Sequence, residues 1–197
     1  MKSLNYHQVG KMVATPQERS PFGVRDRCLM EIFYLTGLRV YEMSMLDVGH
    51  VARRTDEIRE LLDMQAVICK YSRGRVIPIT AQLREVIIEL LVFNKRRGFS
   101  TEQNAPLFQN RYHCRLNVRA IQRLIKQYRE EADMDIAVTP HTFRHSFAAE
   151  LLRNTGNSHT LKILLGHADL KTTDAIYSHA YPEDLKKAME TITRPVQ

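Results

Sequence analysis

The chain has 197 residues, 44% of them apolar and 26% charged, proportions ordinary for a globular protein with one substantial core or two small domains. No apolar run approaches the length of a membrane span and no charged start leads into an apolar signal region, so a soluble, cytoplasmic protein without membrane contact is expected. A net charge of +7 favours a polyanionic partner, because Lys and Arg neutralise phosphates and release their counterions.

Cys28, Cys69 and Cys114 are odd in number and far apart. They offer neither a metal spacing nor a disulfide framework, and reduced, mostly buried thiols are expected. Residues 1–18 hold a short helical pattern with Val9, Met12 and Val13 on one face, ending near Pro16. Ser20-Pro21 reads as a cap and first-turn proline. The helix behind it carries Val24, Cys28, Ile32 and Leu35 at steps of four, four and three, so a buried helix is expected, and Gly37 ends it. A second, short helix follows with Arg39 and Glu42 three apart. Local sequence allows a surface ion pair there, or an arginine aimed into a site with a carboxylate holding its neighbour.

Residues 64–71 and 75–79 read as two strands of a β-hairpin around Ser72-Arg73-Gly74. Lys70 therefore lies beside a tight basic turn, either solvated or inserted into a DNA groove with Arg73 and Arg75 as DNA contacts. A long helix over Leu83, Ile87, Leu90 and Leu91 ends in Lys95-Arg96-Arg97-Gly98, which suits a helix C-terminus without any ligand. Residues 99–114 read as a loop with one short strand at Leu107-Phe108.

The helix expected over 116–133 places Val118, Ile121, Ile125 and Tyr128 on one face. Arg115, Arg119, Arg123 and Lys126 follow on another, at steps of four, four and three. Like charges on one stripe repel each other, and a DNA backbone would offset that repulsion.

Thr139-Pro140-His141-Thr142-Phe143-Arg144-His145-Ser146-Phe147 combines a cap and a first-turn proline with His141 and Arg144 on one face and Phe143 and Phe147 on the other. A guanidinium fork beside an imidazole suits a phosphate. His141 and His145 imitate a zinc pair, but the residues between them lack the glutamate of a metalloprotease helix, and Arg144 would repel a dication. His145 reads as a packed or hydrogen-bonded histidine. Leu164-Leu165-Gly166-His167 reads as a short helix, its terminator and an exposed histidine; Tyr177 follows, and an amphipathic segment over 183–191 closes the chain.

In this order Thr-Gly-Leu-Arg39, the Lys70 hairpin, His141-x-x-Arg144 and Leu-Gly-His167 followed by Tyr177 resemble the tyrosine recombinase, or phage integrase, family over nearly the whole chain from about residue 5. The resemblance implies an α+β catalytic domain, mainly helical with a small antiparallel hairpin or sheet. In it Arg39, Lys70, His141, Arg144, His167 and Tyr177 surround one DNA phosphate, and Glu42 supports the first arginine. Cys69 stands where the family usually has glycine before the lysine. Tyr181 offers a second register for the nucleophile, but Pro182 follows it and the motif favours Tyr177.

By the same resemblance Tyr177 attacks phosphorus and forms a 3′-phosphotyrosyl link, Lys70 protonates the leaving 5′ oxygen, and His141 serves in proton transfer. Two guanidiniums compensate the added charge, so no metal, cofactor or ATP is implied. The partner is double-stranded DNA. Assembly is a homotetramer on paired sites, with a monomer in the absence of DNA. Residues 1–197 form one catalytic domain, with 182–197 as a tail exchangeable between protomers and no separate N-terminal DNA-clamping domain. A catalytically silent DNA-binding regulator and a type IB topoisomerase-like nicking-closing enzyme are the competing readings.

Overall fold

The computed structural model describes residues 3–17, 20–54, 57–64, 75–166 and 182–195. Helix α1 (Tyr6–Ala14) starts on a reciprocal cap between Asn5 and Gln8 and buries Val9, Met12 and Val13, the face predicted from their spacing. Helix α2 (Gly23–Thr36) departs from expectation at its start. Its cap position is Phe22, with no side-chain cap, rather than Ser20. Gly23 is required by contact: a Cβ there would lie 1.8 Å from the carbonyl oxygen of Gln17.

The burial expected from its apolar spacing holds, and it extends to every side of α2. It lies between α5 (Ala81–Arg96) and α7 (Pro140–Thr155), so even Arg25, Asp26, Arg27 and Glu31 are inside. Each buried charge is partnered. Arg25 donates to Asp26 and to the Gln109 carbonyl, both at 2.7 Å. The Tyr128 hydroxyl donates to Asp26 at 2.9 Å, and Arg27 pairs with Glu89. Gly37, with φ of +62°, ends the helix in the left-handed conformation and lets the Phe147 ring approach.

Two short helices follow, α3 (Val40–Ser44) and α4 (Val48–Val51). Strands β1 (Ala52–Arg54) and β2 (Glu57–Ile58) form a small antiparallel pair that was not expected. In the second pair, β3 (Leu61–Asp63) and β4 (Val76–Pro78), Leu62 faces Ile77 and Asp63 faces Val76. Strand β3 thus precedes the expected first strand over 64–71, and residues 65–74 lie outside the described residues. Leu107 and Phe108 are buried loop residues rather than a strand.

Helix α5 starts on Thr80 and buries Leu83, Ile87, Leu90 and Leu91, with Lys95 and Arg96 in its last turn as expected. Helix α6 (Val118–Glu131) is capped by Asn117 and buries Ile121, Leu124, Ile125 and Tyr128. Thr139 caps α7, Pro140 fills its first turn, and Phe143 and Phe147 are fully buried. Helix α8 (Ser158–Leu165) ends at Gly166, and α9 (Pro182–Glu190) packs on α7, α8 and β4.

Behind α9 the chain turns back onto the domain. Arg194 donates to both carboxylate oxygens of Glu31 at 2.9 and 3.0 Å and to Glu89 at 3.1 Å. Glu31 is fully buried, so this pairing decides whether its charge is tolerated. Of the thiols, Cys28 is buried and Cys114 is exposed, contrary to the expectation for Cys114; Cys69 lies outside the described residues. Among the described residues no helix is long and apolar enough to cross a membrane.

Candidate active site

Three arginines from three separate elements converge on one buried carboxylate and one helix end. Glu42, in α3, is about 1% exposed and is the hub. Arg75, just before β4, grips it with two parallel bonds of 2.8 Å. Arg39 donates to it through its backbone N–H at 2.7 Å and through Nη1 at 3.2 Å. Burial alone would raise the Glu42 carboxyl, but Arg75 and Arg39 together hold it below the usual carboxylate range.

The end of α8 supplies the second anchor. Its last carbonyls have no partner within the helix and carry the negative end of the helix dipole. Arg75 Nε donates to Leu164 O at 2.7 Å, Arg144 Nη2 to Leu165 O at 2.7 Å, and Arg39 Nη2 to Gly166 O at 3.4 Å. Consecutive carbonyls thus receive three different arginines. Gly166, with φ of +62°, permits the arrangement, because a Cβ there would lie 3.1 Å from the Arg75 side chain.

Arg144 also donates to Gly37 O at 2.6 Å, which ties α7 to the α2–α3 turn. It is 6% exposed, and its pKa is pushed down to about 10, first by burial and then by the positive charges of Arg39 and Arg75. It remains charged at neutral pH. Three guanidiniums against one carboxylate leave an excess of positive charge with low access to water, which is what an anion would relieve.

His141 is exposed on α7, one turn before Arg144, and its ring meets that of His145 edge to face at 4.4 Å. His145 Nε2 is buried and has no hydrogen-bond partner among the described residues, so the packing expected of it holds and the hydrogen bond at this atom does not. Burial, then the neighbouring His141 and Arg144, push the His145 pKa down.

Of the expected set, the structure brings Arg39, Glu42 and Arg144 together and puts His141 on the same helix as Arg144. Lys70, Arg73, His167 and Tyr177 lie outside the described residues. Arg75, expected at a DNA-facing turn, is instead about 2% exposed and spends its guanidinium inside the protein. The signal was in the alternation: Arg75, Ile77 and Ile79 share one strand face, and that face is buried. Arg115 is also held by protein, donating to Ser44 O at 3.0 Å and Leu46 O at 3.1 Å and pairing with Asp47. It precedes α6 instead of extending its basic stripe. Arg119, Arg123 and Lys126 are exposed on α6, with Lys126 3.8 Å from Glu130.

A family model described as "Phage integrase family" matches residues 2–184. Tyrosine recombinase XerC of Chlamydia trachomatis serovar L2 is 33% identical over 192 residues, which is 98% of this chain and 58% of the relative. The chain therefore spans little more than half the length of that protein. The crystal structure of XerA recombinase superposes with a TM-score of 0.71 at 24% identity, covering all of this chain and 66% of that one. XerH site-specific recombinase, bound to its difH substrate in a pre-cleavage complex, superposes with a TM-score of 0.68 at 21% identity, over 91% of this chain and 50% of that one. The fold is that of these recombinases.

Proposed function

The chain belongs to the phage integrase family, and from that membership we propose that it is the strand-cutting domain of a site-specific DNA recombinase. The observation that carries the proposal is the excess positive charge where Arg39 and Arg144 meet: two guanidiniums beyond the one Glu42 neutralises, with an exposed His141 nearby. Such a site fits a phosphodiester passing through a more highly charged transition state. It asks nothing of a neutral substrate.

Arg39 and Arg144 hold the nonbridging oxygens. The Tyr177 oxygen attacks phosphorus, the bond to the 5′ oxygen breaks, and Lys70 supplies the proton that this leaving oxygen needs. His141 takes part in proton transfer, and His167 holds a phosphate oxygen and helps place Tyr177. A phenol titrates near pH 10, so the positive field also favours the phenolate that attacks. The protein–DNA link conserves the bond energy, and the 5′-hydroxyl of an exchanged strand reverses the step without ATP. Arg119, Arg123 and Lys126 lie along the DNA backbone. Support for DNA as the partner comes from the DNA-bound relative XerH. The working assembly is a tetramer on two sites, formed when residues 182–197 leave their own domain for a neighbour.

The test is a duplex with a nick beside the cleavage site, which traps the covalent adduct. Wild-type protein should leave a DNA–protein adduct and Tyr177→Phe none. Two sites should then yield exchanged products; relaxation of supercoils without exchange would indicate a nicking-closing enzyme. No adduct with wild type would reduce the chain to a DNA-binding regulator.

A further inference from the structure

Arg75 is a buried cation with every nitrogen turned inward: Nη1 and Nη2 to Glu42, Nε to Leu164 O. Its side chain has no exposure, whereas that of Arg39 is 44% exposed. A phosphate can therefore reach Arg39 but not Arg75. The two compete for the same Glu42 oxygen, Oε1, and the distances show which holds it: 2.8 Å for Arg75, 3.2 Å for Arg39.

That competition matters because a carboxylate at about 1% exposure is costly without a paired cation. If Arg75 were absent, the nearest replacement is the Arg39 guanidinium, which already touches Glu42 from three residues away. Arg39 would then close onto Glu42 as a bidentate pair, the geometry arginine and carboxylate favour. Its charge would be spent, and its fork would turn from the site.

We infer that Arg75 is a positioning residue: by saturating Glu42 and bonding the end of α8, it keeps the Arg39 guanidinium free for a phosphate beside Arg144. This rests on the recombinase reading, which it deepens by assigning a role to a residue outside the set expected around the phosphate. Arg75 also joins two stretches of chain. It stands just before β4, and its side chain packs against Gly166 at the end of α8.

The experiment measures single-turnover cleavage of the nicked duplex at saturating DNA, with thermal unfolding recorded for each variant. Arg75→Gln should cleave about a hundredfold more slowly, the loss typical of a removed transition-state donor. Adding Glu42→Gln to it removes the carboxylate that captures Arg39, while the amide oxygen can still accept the Arg39 backbone N–H. The double variant should therefore recover about tenfold of the rate. A residue with a structural role alone would give no such recovery. Should Arg75→Gln fail to fold, Arg75→Lys replaces it; lysine keeps the charge but cannot form both bonds, and cleavage should still fall with DNA affinity unchanged.

A second readout needs no cleavage. Freed from Arg75, Glu42 should close on Arg39 through its guanidinium and its backbone N–H together, and the Arg39 amide hydrogen exchange should slow about tenfold in Arg75→Gln. A wild type that forms no adduct would refute the recombinase reading, and this exchange measurement then decides the Arg75 inference alone. Wild-type cleavage by the Arg75 variant, a double variant no faster than Arg75→Gln, or unchanged Arg39 exchange would each overturn it.

Discussion

Replacing Arg144 with Met keeps most of the side-chain volume and removes the charge, and the structure sets opposite expectations for stability and chemistry. Two charge-assisted bonds, to Gly37 O and Leu165 O, are lost. At about 1.5–3 kcal/mol each they contribute on the order of 3–6 kcal/mol. Against that stands the cost of keeping Arg144 charged. A pKa pushed from 12.5 to about 10 by burial and by Arg39 and Arg75 corresponds to about 3 kcal/mol at 1.4 kcal/mol per unit. Arg144→Met should therefore destabilise by only about 0–3 kcal/mol, since the two effects largely offset each other. Cleavage should nevertheless fall by about 2.7–4 kcal/mol, or 10²–10³-fold, as for the loss of an oxyanion-binding donor. Urea unfolding and single-turnover cleavage on the nicked duplex measure the two quantities. A variant that cleaves like wild type would remove Arg144 from the site. A stability loss above about 5 kcal/mol would make it a structural cap for α8 rather than a cation held ready for an anion.

The exposed stripe on α6 gives a second test: Arg119→Ala combined with Arg123→Ala should flatten the log–log salt slope of DNA binding by up to about 2, and an unchanged slope would assign the stripe to solvent. Arg194→Ala leaves the buried Glu31 without its main partner and should cost about 3 kcal/mol in chemical unfolding, with most of the loss recovered when Glu31→Gln is added. His145 and His50 both have folded-state pKa values depressed below 6.5, chiefly by burial, so the unfolded chain takes up protons first on acidification. Stability should decline as pH falls from about 7.5 through 6.5 and towards the lower folded values, and His145→Asn should shrink that decline. A pH-independent melting temperature over this range would contradict the assigned burial effect.

Much of this site could be read from local spacing. Thr139, Pro140 and the i,i+3 pair of His141 and Arg144 specify a helix start and a shared side of one helix, and both follow from backbone geometry within a single turn. Gly37 and Gly166 marked two helix ends for the same reason, since the left-handed conformation falls to glycine at least cost. Glu42 beside Arg39 was legible as a pair, but not as the hub for Arg75, which lies 33 residues away. Arg75 looked like one more basic residue of a turn; only the burial of its strand face turned it into an internal ligand of Glu42. Helix α2 hid its role likewise, because the partners of its charges are Gln109, Glu89, Tyr128 and Arg194.

The order and spacing of residues thus determined the local helix starts and stops, the basic surface of α6 and the residue types suited to a phosphate. The tertiary structure decided which arginines are available to a ligand and which are consumed inside the fold. The physical reason is that a guanidinium has the same chemistry everywhere, while its free charge depends on carboxylates and carbonyls brought in from distant parts of the chain. Those groups meet only after the hydrophobic core has closed around α2.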